Sequence, residues 1–238
     1  MFMSRSSLDR ATTRTFAQNY NKKKMNRKNP KDAPSAPVIS TGLFKGMKLA
    51  TPPGQGTRPT SSKTRAAALN SLQTRLAGAR FCDLFAGSGA VGIEAVSRGA
   101  TSCEFIESAP QALAALNRNL LECERRSLAQ GASPPVFRVS PGDIRKFLVA
   151  ARDTASKQLN IRNDHRFDII WADPPYTMVD EILPDLMAFA DATLAPGGIL
   201  MLESGATVAQ APAVSPGLRL KAEKKYGSTF ITTWEKEA

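Results

Sequence analysis

Between Arg80 and Leu202 the chain alternates short apolar, β-prone runs with longer helix-prone ones, and this rhythm admits few folds. Residues 81–85 read as a strand and 90–97 as a helix; 102–106 with 111–128, 136–139 with 144–151, and 167–172 with 180–193 repeat the pattern, and 199–202 adds a fifth strand. Parallel neighbours need a long crossover, which a helix supplies, so the alternation predicts a mostly parallel sheet with helices on both faces. Two further β runs, 218–225 and 229–234, flank the turn residues Gly227-Ser228 and predict a closing antiparallel hairpin. The expected class is α/β with a seven-stranded sheet. Residues 152–166 are polar and are expected to form an exposed loop ahead of the fourth strand.

The 238 residues suffice for one large domain with appendages rather than two equal domains. Residues 1–36 are a basic tail. Between 1 and 31, nine Lys or Arg face one acid, Asp9, a net +8 out of +11 for the whole chain, which leaves about +3 for the rest. So charged a segment, with so few apolar residues, cannot bury a core and is expected to be disordered. It reads as a phosphate-binding arm, a transit peptide or an inert tail. Residues 37–78 are expected to form an N-terminal extension, with a small hairpin around Gly42 and Gly46. Ser61 and Ser62 would then cap a helix that sets Ala67, Leu69, Leu72 and Leu76 roughly along one side. Residues 79–238 make the main domain.

Composition excludes several chemistries. There is no run of eighteen apolar residues and no apolar secretory signal, which predicts a soluble, cytoplasmic protein without a membrane partner. Cys82, Cys103 and Cys123 lack C-x-x-C spacing and read as reduced, buried, small hydrophobes. His165 is the only histidine, which argues against a histidine-held metal or a Ser-His-Asp triad, so no metal is expected. A monomer is the default.

Four acids fall at the predicted C-terminal ends of the first four strands: Asp83, Glu107, Asp143 and Asp173. Ligands of a doubly wound sheet bind at that edge. At the first junction Gly87-x-Gly89-x-x-Gly92, preceded by Phe85, permits a tight turn and lets a ligand approach the backbone at a helix N-terminus. Such glycines alone suit a dinucleotide equally, or merely pack helix on strand. Asp83 tips the balance, because an acid sits badly beside a pyrophosphate and well beside a cation. S-adenosylmethionine, with its ammonium and sulfonium, is a cation of that kind. Glu107 can take both ribose hydroxyls; Asp143 can accept the adenine amino group with Ile144 over the ring, or simply cap the next helix.

Asp173-Pro174-Pro175-Tyr176 ends the fourth strand. The carboxylate accepts hydrogen bonds from an NH2 group, the prolines hold the backbone stiff with the Pro174 carbonyl outward, and Tyr176 offers a ring to stack on a base. By itself the tetrapeptide suits an amino group on a base or on a side-chain amide. Arg58, Lys63 and Arg65 are candidates for RNA phosphates, or belong to a solvated helix face.

The run 83–99 (DLFAGSGAVGIEAVSRG), with Arg58-Pro59-Thr60, Arg65, the Asp-Pro-Pro-Tyr element and Tyr226-Gly227, resembles the bacterial 16S ribosomal RNA guanine-N2 methyltransferases, the RsmD group. The likeness spans about residues 38–234. The glycine and Asp-Pro-Pro-Tyr motifs mark amino-group methyltransferases in general; the Arg-Pro-Thr entry and the Ser97-Arg98-Gly99 close are more specific. The resemblance implies a Rossmann-like class I fold, S-adenosylmethionine as cofactor, 16S rRNA or the small ribosomal subunit particle as partner, and methylation of guanine(966) by in-line transfer to a flipped base. After Thr60 the family usually carries Asp-Arg and Arg-Glu, where this chain has Ser62-Lys63 and Arg65-Ala66. Three rivals stand beside this: a DNA adenine-N6 methyltransferase, a protein glutamine-N5 methyltransferase, and a non-catalytic RNA-binding assembly factor.

Overall fold

In the computed structural model, which describes residues 36–52, 59–157, 167–209 and 215–237, the expected rhythm closes into one sheet. Strands β1 (Arg80–Leu84), β2 (Ser102–Glu107), β3 (Val136–Pro141), β4 (Phe167–Ala172) and β5 (Leu194–Ser204) pair in parallel in the order β3-β2-β1-β4-β5. The hairpin β6 (Leu218–Tyr226) and β7 (Thr229–Lys236) completes seven strands, with β7 antiparallel to β5. Helices α1 (Pro59–Ser71), α2 (Gln73–Leu76), α3 (Ala90–Ser97), α4 (Pro110–Ala129), α5 (Ile144–Lys157) and α6 (Val179–Thr193) cover it. This is the Rossmann-like α/β arrangement.

Strand periodicity divides the core into two layers. Phe81, Phe105, Ile169, Trp171, Ile199 and Met201 pack on one face against Leu69 of α1, Leu72 at the α1–α2 junction, Ile93 of α3 and Leu116 of α4. Their neighbours in sequence, Cys82, Leu84, Ile106, Ile170, Leu200 and Leu202, pack on the other against Leu148 of α5 and Leu186 and Phe189 of α6. All three cysteines are buried and free, as expected. No described helix is long and apolar enough to cross a membrane.

The N-terminal segment joins the first of these layers instead of standing apart: Ile39, Phe44, Met47 and Leu49 are buried in it. The Glu94 to Gly99 end of the glycine motif holds it there. Glu94, with no exposed surface, accepts from Ser40 N at 2.9 Å and Ser40 Oγ at 2.6 Å, and pairs with Arg98 at 3.0 Å. Burial by itself would raise the Glu94 pKa, but these partners bring it below the usual carboxylate value. Ser97 Oγ accepts the Phe44 N–H at 2.9 Å and donates to the Thr41 carbonyl at 2.6 Å. Asn119 of α4 ties the same segment to the glycine loop, bonding both the N–H and carbonyl of Ala50 and the carbonyl of Ser88.

Three expectations need correcting. The small hairpin reduces, among the described residues, to one antiparallel bridge, Val38 to Lys48, because the chain there spends its backbone bonds on turns and on Ser97. Helix α1 starts at Pro59, whose fixed φ suits a first helical position, so Ser61 and Ser62 lie inside the helix and not at its cap. Helix α5 runs on to Lys157, so 152–157 is not loop; 158–166 lies outside the described residues, as do residues 1–35 of the basic tail and Arg58.

Candidate active site

Strand order reverses between β1 and β4, and there the C-terminal edge opens into a cleft of about 850 Å³. Its walls come from the ends of all five parallel strands and from the β6–β7 turn: Phe85 and Gly87 after β1, Glu107 of β2, Asp143 and Ile144 after β3, Asp173 to Met178 after β4, Glu203 of β5, and Ser228-Thr229 from the turn. The glycine junction is built on left-handed backbone. Phe85 (φ 62), Gly87 (φ 57) and Gly89 (φ 81) all adopt it, and Phe85 does so without glycine's freedom. Gly92 is glycine for space: a Cβ there would meet the Phe105 ring at 2.4 Å and Cys103 Sγ at 2.5 Å.

The strand-end acids divide by role. Asp83 does not reach the cleft. It is 2 % exposed, its Oδ2 accepts the Gly92 N–H at 2.9 Å, and so it braces the loop from behind instead of touching a ligand there. Dehydration pushes it up to about 7, with the charges of Asp173 and Glu107 adding to the rise. Gly89 likewise lies beneath the lining, its Cβ direction filled by Leu116 at 2.5 Å. Glu107 does face the cleft, but its carboxylate already accepts three backbone N–H groups: Gly87 at 2.8 Å, Ser108 at 2.8 Å and Ala109 at 2.7 Å. Of about four acceptor positions on a carboxylate, about one remains, enough for one ribose hydroxyl and not for both in bidentate fashion. Asp143 lines the cleft and also caps α5, accepting the Arg145 N–H at 2.8 Å; Ile144 is buried beside it.

Asp173 and Tyr176 enter the same cleft from β4. Asp173 is open to water on the cleft side while protein surrounds the rest of its carboxyl, and that dehydration pushes it up to about 6. Tyr176 is 43 % exposed, and one side of its ring lies on Gly205, where a Cβ would come within 2.5 Å of Cδ2. Its hydroxyl bonds Thr229 Oγ1 at 2.9 Å and donates to Glu203 Oε1 at 3.5 Å. Glu203, at the end of β5, was not among the expected site residues. It lines the cleft at 8 % exposure, and dehydration followed by the charge of Asp173 pushes it up to about 7. Its signal was present: an acid closing an apolar strand, the pattern that marks the other four.

Of the candidate phosphate ligands, Lys63 is exposed and Arg65 is not. Arg65 is 7 % exposed and donates to the Val38 carbonyl at 3.1 Å, so it holds the N-terminal segment; burial lowers its pKa.

The family model described as conserved hypothetical protein 95 matches residues 38–235. The chain belongs to that family, the RsmD group. YlbH of Bacillus subtilis is 30% identical over 200 residues, 83% of this chain and 98% of that protein. Ribosomal RNA small subunit methyltransferase D of Escherichia coli K12 is 42% identical over 69 residues, 29% of this chain and 35% of that protein. The solved structure of yhhF from Escherichia coli superposes with a TM-score of 0.64 at 26% identity, covering 86% of this chain and 99% of that one. In this RsmD-group chain the glycine motif therefore has two faces, Gly87 toward the cleft and Glu94 to Arg98 toward the N-terminal segment.

Proposed function

We propose that the chain is an S-adenosylmethionine-dependent methyltransferase that modifies the exocyclic N2 of a guanine in small-subunit ribosomal RNA, guanine(966) by family likeness. The observation that carries this is the turn Asp173 to Tyr176, which places a carboxylate and a half-free aromatic ring in the same cleft as Gly87 and Glu107. The donor set fits the cofactor. Ile106, Ala112 and Ile144 offer an apolar seat for adenine, Asp143 an acceptor for its amino group, and Glu107 an acceptor for a ribose hydroxyl. Asp173 is raised by dehydration, and its charge adds to the rise at Glu203 across the cleft and at Asp83 beneath it, so a cationic ligand beside Asp173 and Glu203 would be favoured.

When bound, the cofactor supplies an electrophilic methyl group whose carbon–sulfur bond breaks as the new N2–carbon bond forms, leaving a neutral thioether. The residues of this chain orient the acceptor. Guanine N2 is a weak nucleophile because its lone pair is delocalised into the ring. Hydrogen bonds from the two N–H groups to Asp173 and to the Pro174 carbonyl turn the nitrogen towards tetrahedral geometry, and Tyr176 stacks on the base, a contact worth about 1 to 3 kcal/mol. The methylated nitrogen is strongly acidic and gives up its proton readily, to Asp173 or to water.

Asp173→Asn keeps the shape and replaces one acceptor by a donor. Methyl transfer to small-subunit RNA should fall at least about 100-fold, while the dissociation constant for S-adenosylmethionine, by calorimetry, stays within a few-fold. Wild-type turnover in the variant would remove Asp173 from the reaction.

A further inference from the structure

Glu203 presents a chemical problem that the methyl transfer as described does not use. Its residue is 8 % exposed, yet the carboxyl group has one hydrogen-bonding partner among the described residues, the Tyr176 hydroxyl at a long 3.5 Å. That hydroxyl has a better partner in Thr229 at 2.9 Å. Its remaining acceptor capacity therefore opens on the cleft, where a ligand can reach it, and a second carboxylate nearby makes a hydrogen-bond donor there more favourable. Adjacent strands set the two acids side by side: Ala172 of β4 is in register with Leu202 of β5, and Asp173 and Glu203 are the next residues on each. Both face one cleft, which Tyr176 roofs with its ring.

Two neighbouring acceptors call for a ligand with two neighbouring donors. The Watson–Crick edge of guanine has them, N1–H and the exocyclic N2–H group; adenine and cytosine present an acceptor beside their amino group instead. We propose that Glu203 is the base-reading residue of the site, its carboxylate accepting guanine N1–H while Asp173 accepts the amino group. This rests on guanine N2 as the acceptor. It assigns the preference for guanine to a pair of carboxylates on adjacent strands, and it makes a base lacking N1–H a poor substrate even when its amino group is in place.

2-Aminopurine is that base: it keeps the amino group at C2 and has a bare, accepting N1. Small-subunit RNA carrying guanosine or 2-aminopurine riboside at the methylated position, naked and assembled into the particle, is offered to the full-length wild type, to Glu203→Gln and to Tyr176→Phe. The wild type should favour guanosine by at least about tenfold in kcat/KM, because a site built around a donor rejects an analogue without it. Glu203→Gln, whose amide can donate to a bare N1, should shrink that preference by at least about tenfold. Tyr176→Phe should keep the preference, which separates reading of the base from support of the tyrosine. Equal use of both bases by the wild type overturns the role of Glu203 without any variant, and so does an unchanged preference in Glu203→Gln or an equal loss in both variants. A wild type that leaves guanosine unmethylated while methylating another amino group overturns the acceptor reading and this inference with it.

Discussion

Three carboxyl groups at the centre of the molecule titrate far from their ordinary range: Asp83 is raised to about 7, Asp173 to about 6 and Glu203 to about 7. A carboxyl raised in the folded state lends stability that is full below its unfolded pKa and is lost as pH rises through the folded one. Stability should therefore decline between about pH 4 and pH 7. Asp83→Asn keeps an oxygen for the Gly92 N–H and removes the buried charge, so at pH 8 it should stabilise the fold by as much as about 4 kcal/mol. Thermal unfolding across pH 4 to 8 checks this; a variant as pH-sensitive as the wild type contradicts it. Activity should run the other way. In the proposed reaction Asp173 accepts the amino group far better ionised than protonated, so kcat/KM should rise through about pH 6 and level off above it. A rate flat across pH 5 to 8 would mean that Asp173 does not titrate in the reaction. The acids of the cleft lower stability where they serve the chemistry.

At the scale of elements, two glycines carry separable functions. Gly42 has a φ of +80, and a Cβ there would lie 1.6 Å from the Ser97 carbonyl oxygen. Gly42→Ala should destabilise the fold by at least about 2 kcal/mol, read by chemical denaturation, because the N-terminal segment could no longer lie on α3. Gly205→Ala pushes into the Tyr176 ring and leaves the S-adenosylmethionine side alone. It should raise KM for RNA severalfold and leave cofactor affinity unchanged; equal loss of both would show that the ring does not act on RNA alone.

The strands were legible in the sequence because each is a short apolar run bounded by turn residues, and the hairpin because Gly227-Ser228 is local turn chemistry. The Asp173 to Tyr176 turn and the cleft-facing Gly87 were legible for the same reason. The place of Asp83 was not legible because a strand-end position does not say which way a side chain points; it shares the face of Phe81 and lies under the loop. Arg65 looked like a surface cation because helix α1 is weakly patterned, and only the packing of residues 38–49 over it shows that it is enclosed. Tyr176 meets Thr229 across 53 residues and Glu203 across 27, and sequence-local reasoning has no access to such pairings.

At the scale of the whole molecule, charge is separated from chemistry. The net +8 of residues 1–31 lies outside the family match at 38–235, while the cleft is acidic. If the tail is a phosphate-binding arm, removing residues 1–36 should weaken RNA binding and flatten its dependence on salt by about one unit of slope or more. Binding titrations at stepwise salt concentration read that slope, and an unchanged slope removes the arm from the account. Catalysis at saturating RNA should not change.

Methylation of guanine N2 in small-subunit RNA, proposed for this cleft, can be read directly. Small-subunit RNA, naked and assembled, is incubated with the protein and isotope-labelled S-adenosylmethionine, then digested and mapped by mass spectrometry. The label should appear in a single N2-methylguanosine and vanish with Asp173→Asn. Label on adenine N6, on a protein glutamine, or on no substrate at all would contradict guanine N2 as the acceptor.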